Sequence, residues 1–321
     1  MPPEHGVRRQ ADFVARSAPM RRLLQEVRRY AHADANVLIT GETGVGKDRI
    51  AEALHRSGPR RNQPFVTIAC ASMPASLMEA ELFGFERGAF TDAATAKAGR
   101  FELAGAGTVY LDGVSELPLD LQGKLLRVVE DKRVERLGGV AVIDVRARIV
   151  ASSPEGIEQA VQQGAFRDDL FHRLRVLPLR VPPLRARHAD ILPLSREFLK
   201  EACGRGGRDL VRLTRPAQEI LLRYPWPGNV RELKHTMERA VLDLDPDERE
   251  IGAEQLPAEL LADPETFLVA GAAERPTLQE LERRYIERVL RETRGKQTEA
   301  ARLLGISRKA LWEKRRRYGL E

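Results

Sequence analysis

The sequence runs to 321 residues, 42% hydrophobic and 31% charged, with a formal net charge of +6; this is the composition of a globular chain long enough for two or three compact units, and it argues against a disordered or fibrous protein. Its apolar runs are strand-sized, its N-terminus has no apolar signal core, and its two cysteines, Cys70 and Cys203, are far apart, so neither a membrane span nor a disulfide framework is expected and a reducing cytoplasm is. The charge is uneven: from Thr277 to Glu321 there are 13 Lys/Arg against 7 Asp/Glu, the footprint of a nucleic-acid module or, more blandly, of a solvated basic tail.

In chain order, a polar tail runs to about Val14, and Met20, Leu23, Leu24 and Val27 then recur at helical spacing ahead of the apolar strand Val37-Leu38-Ile39. Further strand-like runs at Phe65-Val66-Thr67-Ile68, Val109-Tyr110-Leu111 and Ile149-Val150-Ala151 alternate with helical patterns, which predicts an α/β domain with a parallel sheet covered on both faces. After Pro182-Pro183 the apolar spacing becomes helical: Ile191, Leu192 and Leu194, then Ile220, Leu221 and Leu222, then Val230, Leu233 and Met237. From Asp243 to Pro276 there are ten Asp/Glu and two Arg, with several prolines, and the later part reads as a linker.

The first strand leads into Gly41-Glu42-Thr43-Gly44-Val45-Gly46-Lys47-Asp48, followed by a helical pattern containing Ile50 and Leu54. Glycines at these positions let successive backbone N–H groups curl around phosphates, Lys47 can reach the β- and γ-oxygens, and the helix that follows presents its positive end. A nucleoside triphosphate such as ATP, with Mg2+, is the expected ligand; Asp48 stands where the general pattern has a hydroxyl for magnesium. The strand ending in Asp112 supplies a carboxylate suited to that metal.

The C-terminal stretch opens with a capping box, Thr277 as N-cap and Glu280 three residues later, before a face of Leu281, Tyr285, Val289 and Leu290 that could pair with its twin in a dimer. Two short helices then flank a turn at Gly305: Ala300 and Ala301 permit close crossing, and Ser307 can cap a second helix dense with cations, the pattern of a helix-turn-helix. Ser307, Arg308 and Lys309 would lie at the start of the recognition helix, facing the major groove of double-stranded DNA, with Lys314 and Arg315 within reach of bases or phosphates.

Taken in order, the P-loop, Glu81-Leu82-Phe83-Gly84, Gly88-Ala89-Phe90-Thr91, Gly107-Thr108 and Trp226-Pro227-Gly228-Asn229-Val230-Arg231-Glu232-Leu233 resemble the sigma-54-dependent transcriptional activators, and Gly305-Ile306-Ser307-Arg308 resembles the Fis-like helix-turn-helix that ends many of them. The resemblance implies an AAA+ module over residues 15–185 with a helical lid over 186–255, a linker over 256–276 and the DNA-binding unit over 277–321, after a tail of residues 1–14. It implies a hexameric ring with ATP at subunit interfaces, so that, with the dimer suggested by the C-terminal helix face, self-assembly is expected between dimer and hexamer. Arg167 and Arg173 match the family's arginine fingers and Arg231 its sensor II arginine; an acidic residue after the P-loop lysine is usual there, so Asp48 is a mild change. Gly88, Ala89, Phe90, Thr91, Asp92 and Ala93 match the loop that engages sigma-54 RNA polymerase holoenzyme, with Asp92 where the family has glycine, adding a carboxylate and removing backbone freedom.

Three departures cluster where hydrolysis takes place. The family follows the Asp112 position with a Glu that polarises the attacking water, whereas this chain has Gly113; the Asn that holds that Glu is replaced by Ala69; and the sensor I pair reads Ser153-Pro154, keeping a hydroxyl and losing an amide. Loss of a water-orienting base slows turnover by roughly two to four orders of magnitude while leaving binding intact. Glu116, three residues on, could substitute only along a different backbone path. The expectation is a DNA-binding transcription regulator that binds ATP with impaired hydrolysis; the alternative is a fully active ATPase that remodels sigma-54 polymerase. A metabolic P-loop kinase would explain neither the motif string nor the helix-turn-helix. With no sensory domain before Ser17, control is expected from a partner, a ligand, expression level or an N-terminal domain that this chain lacks.

Overall fold

A computed structural model describes residues 13–70, 74–90, 93–245, 247–261, 277–293 and 296–320; the N-terminal tail, Thr91 and Asp92 of the predicted polymerase loop, most of the linker and the Leu281 side chain lie outside the described residues. The chain divides into two compact units, Met1–Leu261 and Ala262–Glu321.

Five strands build the main sheet: β1 (Val37–Thr40), β2 (Phe65–Ala69), β3 (Thr108–Asp112), β4 (Arg148–Ser153) and β5 (Leu177–Arg180), in the order β2-β3-β4-β1-β5. Every pairing is parallel. The register aligns Ala69 with Asp112 and Thr40 with both Ser153 and Arg180, so the carboxyl ends of the strands share one edge, where ligands of such sheets bind. The fifth strand escaped the sequence reading because Pro178 interrupts its short apolar pattern; proline is tolerated there because β5 is an edge strand.

Side chains alternate between two cores, as the two-residue period of a strand requires. Leu38, Ile68, Val109, Leu111, Ile149 and Ala151 face a layer containing Met78, Leu82, Leu125, Val129 and Leu170. Val37, Ile39, Tyr110, Val150 and Leu179 face Met20, Leu23, Val27, Ile50 and Leu54, which come from the helices Ala18–Ala31 and Lys47–Arg56. Each fully buried Leu or Ile contributes about 1.5–3 kcal/mol, and burial on both faces is why these strands read as continuous apolar runs. The buried Arg148 donates to the carbonyls of Tyr30, Ala31 and Ala35 at 2.8, 3.2 and 3.0 Å, satisfying the C-terminal end of the first helix with a cation.

The lid comprises the helices Ile191–Arg205, Arg215–Arg223 and Asn229–Leu242. Between the last two, Trp226 is fully buried and its indole N–H donates to the Leu221 carbonyl at 2.9 Å. Trp226 and Asn229 hold φ of 53° and 54°, a left-handed conformation that costs on the order of 1–3 kcal/mol outside glycine and bends the chain back toward the P-loop.

The second unit contains the helices Leu278–Glu292, Gln297–Leu303 and Arg308–Tyr318. The capping box is formed: Thr277 N donates to Glu280 Oε2 at 2.9 Å and Glu280 N to Thr277 Oγ1 at 3.3 Å. Ala300 and Ala301 are buried against Ile286, Val289 and Leu311, Gly305 takes φ 66° at the turn, and Ser307 Oγ accepts from Ala310 N at 3.1 Å. Tyr285, expected on the packed face of the first of these helices, is 54% exposed.

Candidate functional site

Gly41, Gly44 and Gly46 carry φ of 153°, 79° and 95°, the curled path that points consecutive N–H groups inward. Gly44 has a second reason to lack a side chain: a Cβ there would sit 2.3 Å from the Gly228 carbonyl oxygen of the lid. Lys47 folds its ammonium onto the loop, donating to the carbonyls of Gly41 at 2.8 Å and Glu42 at 3.1 Å. Burial holds its pKa below the ordinary lysine value, with Asp112 opposing and Arg231 reinforcing the shift; an anion placed beside it would relieve both effects.

The lid grips this loop directly. Val230 N and Arg231 N donate to the Gly44 carbonyl at 2.9 and 3.2 Å. Asn229, wholly buried, donates to Glu42 Oε2 at 3.0 Å and to the Thr43 carbonyl at 3.1 Å while accepting from Leu184 N at 2.8 Å. The Glu42 carboxylate also takes a two-pronged ion pair from Arg185, whose hydrogen bond holds the Glu42 pKa below the usual carboxylate range. Arg187 Nη2 donates to the Val45 carbonyl at 2.8 Å from a buried position, where desolvation lowers its pKa to about 10. Glu42, Thr43 and Val45 therefore position the lid as well as shaping the loop.

At the adjoining strand end, Asp112 Oδ1 accepts from Ser152 Oγ at 2.7 Å and from Tyr110 OH at 3.0 Å. Ser152 Oγ in turn accepts from Gly113 N at 3.1 Å. The serine beside the carboxylate is thus Ser152, a residue the sequence reading passed over, while the Ser153 hydroxyl donates to Ser115 Oγ at 3.2 Å. Hard oxygen donors of this kind, one carboxylate completed by phosphate oxygens, suit Mg2+. Gly113 adopts φ 76° and starts the short 3-10 turn Val114–Glu116. A Cβ built on Gly113 would lie 3.7 Å from Glu116 Cγ, so the left-handed glycine brings Glu116 back beside position 113. Burial, then the charges of Asp112 and Glu116, push the Cys70 thiol up to about 12, which leaves it protonated and unreactive.

Arg167 is the N-cap of the helix Asp168–Leu174. Its backbone N–H donates to Gln122 Oε1 at 2.8 Å, and Gln122, wholly buried, donates to the carbonyls of Leu117 and Ala165 at 2.8 and 3.1 Å. The Arg167 head is exposed and paired with Asp169 at 2.7 Å; that of Arg173 is exposed and paired with Glu130 at 2.7 Å. Both pairs are solvent-screened and weak, so either guanidinium is free to exchange its partner for another anion.

In the predicted polymerase loop, Phe90 is 44% exposed and meets the Phe85 ring edge-on at 4.9 Å between centroids. Gly88, which as a glycine takes φ 82° without strain, donates its N–H to the Ala93 carbonyl at 2.9 Å, closing the loop base. Ala89 packs so closely on Gly138 that a Cβ there would come within 2.9 Å of the Ala89 Cβ.

On the last helix, Arg308 and Lys309 are exposed at the N-terminal end. Lys314 instead forms an ion pair with Glu282, which also accepts from Tyr318 OH at 2.6 Å, and Arg315 Nε donates to the Leu320 carbonyl at 2.9 Å. Those two cations are engaged inside their own unit.

Sequence profiles match this layout: the sigma-54 interaction domain over residues 13–180, the AAA+ ATPase lid domain over 185–268 and the bacterial regulatory protein, Fis family, over 277–318. The chain belongs to the sigma-54-dependent transcriptional activators. It is 40% identical over 316 residues to the regulatory protein AtoC of Escherichia coli, covering 96% of this chain and 68% of that protein. It is 39% identical over 310 residues to the nitrogen fixation protein AnfA of Azotobacter vinelandii, covering 97% of this chain but only 58% of AnfA. Among solved structures, NtrX from Brucella abortus in complex with ATP superposes with a TM-score of 0.71 at 34% identity, covering 97% of this chain and 70% of that one. As in other members of this family, the AAA+ sheet, the helical lid and a Fis-type helix-turn-helix follow one another along the chain; among the described residues no helix is long and apolar enough to cross a membrane.

Proposed function

We propose that this chain acts as a DNA-bound regulator whose AAA+ module binds ATP with Mg2+ and hydrolyses it slowly, so that nucleotide occupancy, rather than turnover, sets its assembly. The observation that carries the reading is the in-register pair of strand ends Ala69 and Asp112: the metal-binding carboxylate is kept, while a methyl and the hydrogen of Gly113 stand where an amide and a carboxylate would orient water. Lys47, the P-loop amides and Arg231 would hold the triphosphate; Asp112, aided by Asp48, would hold the cation. Arg167 and Arg173 would approach the γ-phosphate of a neighbouring subunit, in an oligomer between dimer and hexamer. Gly88 to Ala93 would contact sigma-54, and Ser307, Arg308 and Lys309 would read DNA. The test is transcription from a sigma-54 promoter with ATP compared with a nonhydrolysable analogue, alongside calorimetry of ATP binding. ATP uptake and specific DNA binding with no activation from either nucleotide support the reading; activation only with ATP refutes it.

One observation favours the active-ATPase alternative. Glu116 Cγ lies 3.7 Å from the Cβ position of residue 113, near enough for its carboxylate to serve a water that Gly113 cannot. Under that reading Glu116→Gln abolishes a family-level ATPase rate; under the first there is no such rate to abolish.

A further inference from the structure

The helix Arg308–Tyr318 sorts its side chains sharply. Leu311 is 1% exposed and Ala310, Lys314, Arg315 and Tyr318 are half-buried, whereas Arg308, Lys309, Trp312, Glu313, Arg316 and Arg317 are exposed. Trp312 is 54% exposed, whereas among the described residues its unit has a small core of Ile286, Val289, Ala300, Ala301 and Leu311. A unit so short of apolar surface would be expected to bury its only tryptophan. Here the indole is left outside, with the Arg316 guanidinium over its ring at 5.7 Å and Arg308 one helical turn before it.

We propose that Trp312 is a specificity-determining residue that packs its indole on the C5-methyl of a thymine in the major groove, with Arg316 locked against its outer face. The inference rests on the DNA-binding reading of this helix and deepens it. Four exposed cations, Arg308, Lys309, Arg316 and Arg317, share the helix with the ring, and Arg316 lies over it; such a surface repels a second copy of itself and suits a polyanion. The apolar feature that duplex DNA offers to a helix in its major groove is the thymine methyl. Arg308 and Trp312 are four residues apart, about 6 Å along a helix axis, or roughly two base steps. The thymine therefore lies within about two base pairs of the base that Arg308 contacts. Stacking on unpaired bases is the competing use of an exposed indole; the intact helix and its capped N-terminus, which fit the groove of a duplex, favour the first.

The experiment selects duplexes from a random library with the full chain, then measures affinity for the selected site with each thymine replaced in turn by deoxyuridine, which removes only the methyl. One replacement is expected to weaken wild-type binding by about fourfold, the worth of one buried methyl, and Trp312→Ala should bind the thymine and deoxyuridine duplexes equally, at the wild-type deoxyuridine level. Trp312→Phe, which keeps an aromatic face, should retain part of the discrimination. Wild-type indifference to every replacement overturns the proposal without any variant having to fold, as does discrimination that survives in Trp312→Ala. Preference for the single strand over the duplex overturns it in favour of base stacking. Failure to enrich any nucleic acid sinks the DNA-binding reading itself, an outcome distinguishable from the others.

Discussion

Asn229 of the lid and Glu42 of the P-loop, 187 positions apart in the chain, meet through a 3.0 Å hydrogen bond from Asn229 Nδ2 to Glu42 Oε2. Asn229 is wholly buried and also satisfies Leu184 N and the Thr43 carbonyl, so one side chain ties the lid, the segment after β5 and the phosphate loop together. Asn229→Ala strands the Leu184 N–H in the interior, at about 1–3 kcal/mol, and should lower the Tm by several degrees. ATP affinity measured by calorimetry should fall about tenfold, because the loop loses its preorganisation. Unchanged affinity in a folded variant would show that the lid does not shape the loop.

The proposed slow hydrolysis turns on Gly113 and Ala69. Restoring the carboxylate and its partner in Gly113→Glu with Ala69→Asn should raise ATP turnover by roughly two to four orders of magnitude. Position 113 has φ 76°, so the glutamate costs about 1–2 kcal/mol in the left-handed region, and the Tm should drop as activity rises. A steady-state phosphate-release assay decides it: a rate that stays at the parent level assigns the defect elsewhere.

His55 gives the AAA+ unit a proton-linked component of stability. Burial lowers its pKa below the ordinary imidazole value, Arg56 and Arg60 add to this and a backbone hydrogen bond at Gln63 opposes it; its Nδ1 lies 2.9 Å from Thr108 Oγ1. The folded state therefore holds a neutral ring where the unfolded chain takes up a proton near pH 6.5. Stability from this source is complete above that pH and declines as pH falls toward the folded-state pKa. The loss of Tm between pH 7.5 and 5.5, buffer values chosen to bracket about 6.5, should be smaller in His55→Gln than in the parent. Parallel profiles would remove His55 from the account.

Two cations of the last helix should separate cleanly. Arg308→Ala is expected to weaken specific DNA binding by about 1–3 kcal/mol and to relax preference at one position. Lys314 pairs with Glu282 inside the unit, so Lys314→Ala should lower the Tm of the C-terminal unit while leaving the salt dependence of binding unchanged. A phosphate-contacting lysine would instead reduce the salt slope by about one, and fluorescence anisotropy across a salt series distinguishes the two.

What the sequence alone determined were features written in neighbouring residues. Four of the five sheet strands, the left-handed glycines of the P-loop, the Thr277–Glu280 capping box and the turn at Gly305 follow from periodicity and backbone sterics, which act over a few positions. The family motifs extended that reading to the lid and to the missing base at Gly113. Tertiary structure alone decided which groups meet across long separations. It placed Ser152 on Asp112 and Asn229 on Glu42, propped Arg167 on the buried Gln122, turned Lys314 inward and left Trp312 outside. None of these has a local signature, because a hydrogen bond across the sheet edge or a choice of helix face depends on where a distant partner lies once the two cores have packed.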